Sequence, residues 1–168
     1  MEEAVRQPYT VATFNSPLEA GLRAVSVLVP AYPATMDLQR LVAFDYLIVH
    51  TADAGGPESL HPQLPLRTAE LLVRRQLVER GLLLMISRGL VERLITPDGI
   101  SYCAGEMSET FLASLASSYL VQLRERGTWV VETFGQLDDS HLRESLREVV
   151  GQWIEEFQSI QRSIAVES

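Results

Sequence analysis

The stretch LVERLITPDGISYCA, residues 90–104, constrains this chain more than any other. Two runs of β-forming residues, 91–96 and 100–103, flank Pro97-Asp98-Gly99. Proline fixes one backbone angle, aspartate favours a turn, and glycine takes a left-handed conformation without steric cost. The segment therefore predicts a β-hairpin. The 22 residues before it, TAELLVRRQLVERGLLLMISRG, read as a helix capped by Thr68 and ended by Gly89. Gly81 inside that helix costs about 1 kcal/mol relative to alanine and predicts a bend. A helix running straight into a hairpin is the element order of a winged helix-turn-helix. The expected fold is mainly α with a small β-hairpin: a winged helix-turn-helix core plus C-terminal helices.

The flanking sequence supplies the other helices. Ser16, Pro17 and Glu19 give an N-cap, a proline at the first helical position and a capping-box acid. Leu18, Leu22, Val25 and Leu28 follow at helical spacing, and Pro30 is expected to stop the run. Asp37 caps a second helix, LQRLVAFDYLIVH, apolar enough to be buried on most sides. Its β-branched end would also suit a strand, but the length of the helical pattern favours helix. Beyond the hairpin, Phe111, Leu112, Leu115, Tyr119, Leu120, Leu123, Val130 and Phe134 line one helical face, which Gly135 ends. Asp138, Asp139 and Ser140 offer caps for a last helix, whose apolar stripe runs from Leu142 through Trp153 and Phe157 to Ile160. That stripe either closes over the domain or packs on another protein, with Trp153 and Phe157 as its interface residues. The expected division is a winged-helix domain with its N-terminal helices over 1–104 and a helical extension over 105–168.

The charge is uneven. The net charge is −8, yet residues 67–93 hold six arginines (Arg67, Arg74, Arg75, Arg80, Arg88, Arg93) against three glutamates. Elsewhere eight arginines face nineteen acids, and no lysine occurs at all. An acidic chain with one basic band does not grip nucleic acid indiscriminately, but the band can dock a phosphate backbone or an acidic protein. Part of it is also expected to pair internally, Glu70 with Arg74 and Arg75 with Glu79 at i,i+4 spacing. No apolar run approaches the roughly 20 residues of a membrane span, and the acidic N-terminus lacks a signal-peptide layout. The expectation is a cytoplasmic protein.

Between the second and third helices lies HTADAGGPESLHPQLPLRT, with His50, Asp53, Glu58 and His61 in a proline-stiffened loop. Two histidines and two carboxylates are a possible metal-ligand set. Their spacing fixes no geometry, however, and the His-Glu-x-x-His helix of metalloproteases is absent. The preferred reading is a structural corner or partner contact, with His50 at a helix end and Glu58 and His61 bonding loop backbone. Cys103 lies in a strand with nothing beside it to lower its pKa, and no phosphate-binding glycine loop or nucleophile elbow occurs. No catalytic residue, metal or cofactor is expected. Asp45, in an apolar helix, needs a partner such as Arg40 or an arginine of the basic band.

FNSPLEAGLRAVSVL, DLQRLVAFDYLIVH, the block from GGPESLHP through LITPDGISY, and SYLVQLRERGTWVVETFG together carry a family resemblance. Over about residues 12–135 the chain resembles the second type of middle component of bacterial ABC-three-component systems. The resemblance implies a winged-helix adaptor without catalytic activity, encoded beside an ABC ATPase of the Rad50/SMC kind and an effector, often a nuclease. Such systems, including Lamassu-type operons, look like defences against phages and plasmids, in which DNA is met in the context of the complex. The alternative is a stand-alone winged-helix transcription regulator that binds DNA through the arginines ahead of the hairpin.

Overall fold

The structure, a computed structural model, describes residues 16–62 and 68–150. It is mainly helical with one two-stranded antiparallel hairpin. Helix α1 spans Pro17–Ala31, α2 Leu38–Val49 and α3 Thr68–Ser87. Strands β1 (Val91–Thr96) and β2 (Gly99–Ala104) follow, then α4 (Ser108–Ser114), α5 (Ser118–Phe134) and α6 (Asp139–Val150).

The caps of α1 and α2 act as the sequence suggests, whereas Thr68 lies inside α3 as its first residue. The Ser16 hydroxyl accepts from the Glu19 amide at 3.2 Å, and Asp37 accepts from the Arg40 amide at 2.8 Å. Both satisfy amide groups that a helix start leaves orphaned. α1 continues one residue past Pro30, which sits in its last turn and does not stop it. α2 is helical to Val49, so its β-branched end does not form a strand, and every residue from Leu41 to His50 is buried. Phe44, Leu47 and Ile48 lie at its centre with no measurable exposure. At about 1.5–3 kcal/mol for each such side chain, this helix anchors the core.

α3 packs mainly on α1, and glycine is the reason. A Cβ on Gly81 would lie 2.5 Å from the Gly21 nitrogen, and one on Gly21 would lie 2.6 Å from Met85 Cε. Gly81 is thus the crossing point of the two helices, and α3 remains a single helix through it. Val78, Leu82 and Met85 form its buried stripe. At its end the Leu90 amide bonds the Met85 carbonyl at 2.9 Å and the Gly89 amide bonds Ile86 at 3.0 Å, with Gly89 at φ +72°. This is a Schellman cap, and it turns the chain directly into β1.

The hairpin register pairs Val91 with Ala104 and Thr96 with Gly99 around Pro97-Asp98. Met36, between α1 and α2, exchanges two backbone hydrogen bonds with Tyr102 at 2.9 and 2.8 Å. The hairpin root is thereby tied to the α1–α2 junction.

The expected continuous face from Phe111 to Phe134 belongs to two helices. α4 closes at Ser114, and the Ser117 hydroxyl then accepts from the Leu120 amide at 3.3 Å to start α5. Serine competes for backbone bonds and so favours a new cap over helix interior. Leu112, Leu123, Val130 and Phe134 are buried with α1 and α2 in one cluster, which Leu142 and Leu146 of α6 join. Asp138 caps α6, accepting from the His141 amide at 2.8 Å. No helix among the described residues is long and apolar enough to cross a membrane.

Candidate functional site

Asp45 is the centre of the polar interior. Its carboxylate receives Arg23 Nε of α1 and Arg74 Nη1 of α3, each at 2.6 Å. One buried acid therefore joins α1, α2 and α3. The Arg23 and Asp45 side chains are 4% and 2% exposed, whereas Arg74 is 21% exposed. Burial opposes ionisation of Asp45, but the two guanidinium groups outweigh it and hold the carboxyl below its usual range. Burial also opposes the charge on Arg23, and Asp45 more than restores it.

The clamp carries one positive charge more than negative, and this shapes its neighbours. His50, which ends α2, is buried, and its pKa is lowered by that burial and then by Arg74. It is therefore neutral at pH 7 and gains no charge–dipole stabilisation at the helix end. Its ring packs 4.5 Å from that of Tyr46. Arg74 lies over Tyr46 at 5.5 Å, and the Tyr46 hydroxyl donates to Asp53 Oδ2 at 3.2 Å. Burial and then the Asp53 carboxylate push Tyr46 up to about 12. His61 shares a hydrogen bond with the Tyr119 hydroxyl at 2.9 Å, its ring stacked on that of Tyr119. Burial, followed by the charge of Arg23, lowers His61 to about 4.

The corner after α2 is built largely from backbone. A 3-10 turn over Thr51–Ala54 ends at Gly55, and the amides of Leu60 and His61 both return to the Val49 carbonyl at 3.1 Å. Thr51 Oγ1 donates to the Pro57 carbonyl at 2.8 Å, Ser59 Oγ accepts from the Ala52 amide at 3.1 Å, and Arg126 Nε donates to the Glu58 carbonyl at 3.0 Å. Glu58 itself is exposed. The four residues singled out in the loop thus separate: His50, Asp53 and His61 join the polar cluster beside the clamp, and Glu58 does not. The rings of His50 and His61 are 6.3 Å apart. Among the described residues no three His, Cys, Asp or Glu side chains converge on a metal position.

The arginine band also divides. Arg74 turns inward onto Asp45. Arg75 approaches Glu79 at 3.4 Å, the expected i,i+4 pair. Arg80, Arg88 and Arg93 are exposed. Arg67, Trp153 and Phe157 lie outside the described residues. Arg40 serves α6 instead of Asp45, donating to the Leu137 carbonyl at 2.5 Å and to Asp139 at 3.1 Å. Cys103 is buried; burial and then Glu92 raise its thiol pKa, which suppresses the thiolate.

Sequence reading identified Asp45 as needing a partner but missed Arg23 and Tyr119. The signal for Arg23 was available: a lone charge in AGLRAVSVLV sits among residues destined for the core. Thr51, Ser59 and Arg126 carried no comparable signal, because each bonds loop backbone that only the fold brings near.

The family model for the ABC-three component (ABC-3C) system Middle Component 2 matches residues 13–156. No curated protein and no solved structure matches.

Proposed function

Since the chain belongs to the Middle Component 2 family of ABC-three-component systems, we propose that it is the non-catalytic adaptor of such a system. In this reading it links an SMC/Rad50-like ABC ATPase to an effector, such as a nuclease, in a cytoplasmic complex of the Lamassu kind that acts against phages and plasmids. The observation that carries the reading is the use made of the polar interior. Asp45, Arg23, Arg74, Tyr46 and Asp53 bond one another and fix three helices, while Arg80, Arg88 and Arg93 remain on the surface. A rigid body with chemistry confined to its exterior suits a part that transmits assembly. A stand-alone regulator would need a strongly phosphate-seeking face, and this chain is acidic overall.

We read the core as a winged helix. The Met36–Tyr102 bridge supports this, because it adds a third strand position to the hairpin between α1 and α2. The 1–104 segment then forms the winged-helix part and 105–168 the extension that closes on it or on a partner. His50, Asp53 and His61 set the corner, and the segment containing Trp153 and Phe157 is a second contact with the complex.

Co-expression with the ATPase encoded beside this chain should give one species by gel filtration at mild salt. Separate elution of the two would overturn the adaptor reading.

A further inference from the structure

The two outer edges of the hairpin differ. On β2, Tyr102 gives both its backbone groups to Met36, at 2.9 and 2.8 Å. Arg93–Tyr102 is therefore a non-hydrogen-bonded pair, whose two residues point their N–H and C=O groups away from each other. The bond from the Gly105 amide to the Leu90 carbonyl, at 2.9 Å, sets the same alternation from the hairpin root. By the two-residue repeat, Arg93 and Ile95 direct their N–H and C=O groups out of the far edge of β1. Among the described residues these four groups receive no hydrogen bond.

The edge is also open. Every residue of β1 after Val91 is exposed, Ile95 at 77% and Leu94 at 38%. It lacks two common guards of a sheet edge: the register runs through six pairs without a bulge, and Pro97 stands in the turn and not in the strand.

We infer that the open edge of β1 takes an antiparallel strand from another component of the complex. This rests on the adaptor reading and deepens it by stating what the partner presents: an extended segment that reads apolar, apolar, acidic, basic. Those four residues would oppose Ile95, Leu94, Arg93 and Glu92 in that order. Four backbone bonds form, two each at Ile95 and Arg93. Cross-strand pairing then selects the side chains, covering the two aliphatics and matching each charge with its opposite. A second copy of this chain fits less well. Within the strand, two antiparallel registers of β1 on itself use both Arg93 and Ile95. One sets Arg93 against Arg93; the other sets Arg93 against Ile95 and Glu92 against Thr96, so neither charge meets its opposite.

The test is residue-resolved amide hydrogen exchange on the full chain, alone and assembled with the ATPase and effector encoded beside it. Alone, Arg93 and Ile95 should exchange fast, and Leu94, which bonds across to Ser101, slowly. In the assembly, Arg93 and Ile95 should slow by about tenfold or more. Unchanged fast exchange there would overturn the inference and leave the adaptor role standing, whereas failure to assemble would overturn both. Slow exchange at both residues in the chain alone would also overturn it. The edge would then belong to a second copy if the slowing depends on concentration, and to this chain's own residues if it does not. Two variants add a binding readout. Ile95→Pro removes only an outward N–H, which an edge strand tolerates, and Arg93→Glu reverses the selecting charge. Each should keep the wild-type thermal unfolding and weaken assembly by about tenfold. Wild-type affinity in both variants would overturn the inference.

Discussion

Asp45 and Arg23, 22 residues apart in sequence, meet at 2.6 Å in the interior, where neither side chain exceeds 4% exposure. Pairing of this kind adds little net stability over an apolar core, but losing one partner leaves a buried charge uncompensated. Asp45→Ala should therefore cost about 3–5 kcal/mol in urea unfolding. Arg74→Ala should cost less, since Arg74 is partly exposed and water can replace it at Asp45. Equal losses for the two variants would contradict the central place of Asp45.

The corner histidines set the pH dependence. His61 titrates near 4 in the folded chain and near 6.5 when unfolded. Between those values the unfolded chain binds a proton that the folded chain does not. The stability is thus fully present above about pH 6.5 and is lost as the pH falls toward 4. His50, also lowered, acts in the same direction. After discounting for partial exposure, the loss attributable to His61 should be about 1–2 kcal/mol. Urea midpoints between pH 7 and 4.5 should show it, and His61→Gln should flatten the profile. An unchanged slope in that variant would remove His61 from the account.

Gly81→Ala tests the helix crossing by its sign. Alanine favours helix over glycine by about 1 kcal/mol, so a solvent-facing position would be stabilised. At position 81 the new Cβ would press on the Gly21 backbone, which has no rotamer with which to yield. The variant should be destabilised by about 1–3 kcal/mol, read from the shift in thermal midpoint.

Ser117→Ala removes the cap that starts α5. A loss of about 1 kcal/mol is expected. Amide exchange at Leu120 should accelerate, while exchange at Val130 should follow only the global change.

The hairpin, the cap residues Ser16, Asp37 and Asp138, and the end of α3 at Gly89 were legible because each depends on neighbours in sequence. The break before Ser117 was less so, since an apolar period passes across it and hides the serine cap. The close approach of Gly81 to Gly21 was not legible, because its reason is another helix and no local pattern shows where α1 will cross. The loop histidines stood out in the sequence, but their chemistry comes from Arg23, Arg74 and Tyr119, which lie on three other helices. Along the chain, only i,i+4 spacing divided the basic band. Folding sorts it by helix face, sending Arg74 inward and leaving Arg80 outside.

The Met36–Tyr102 bridge has a mechanical meaning. Hairpins joined to a body only at their base swing freely, and a partner that grips one must first arrest that motion. Here two backbone bonds brace the root from the side, between two helices that are themselves locked through Asp45. A push on the hairpin tip is then a torque on the α1–α2 pair rather than on the hairpin base alone.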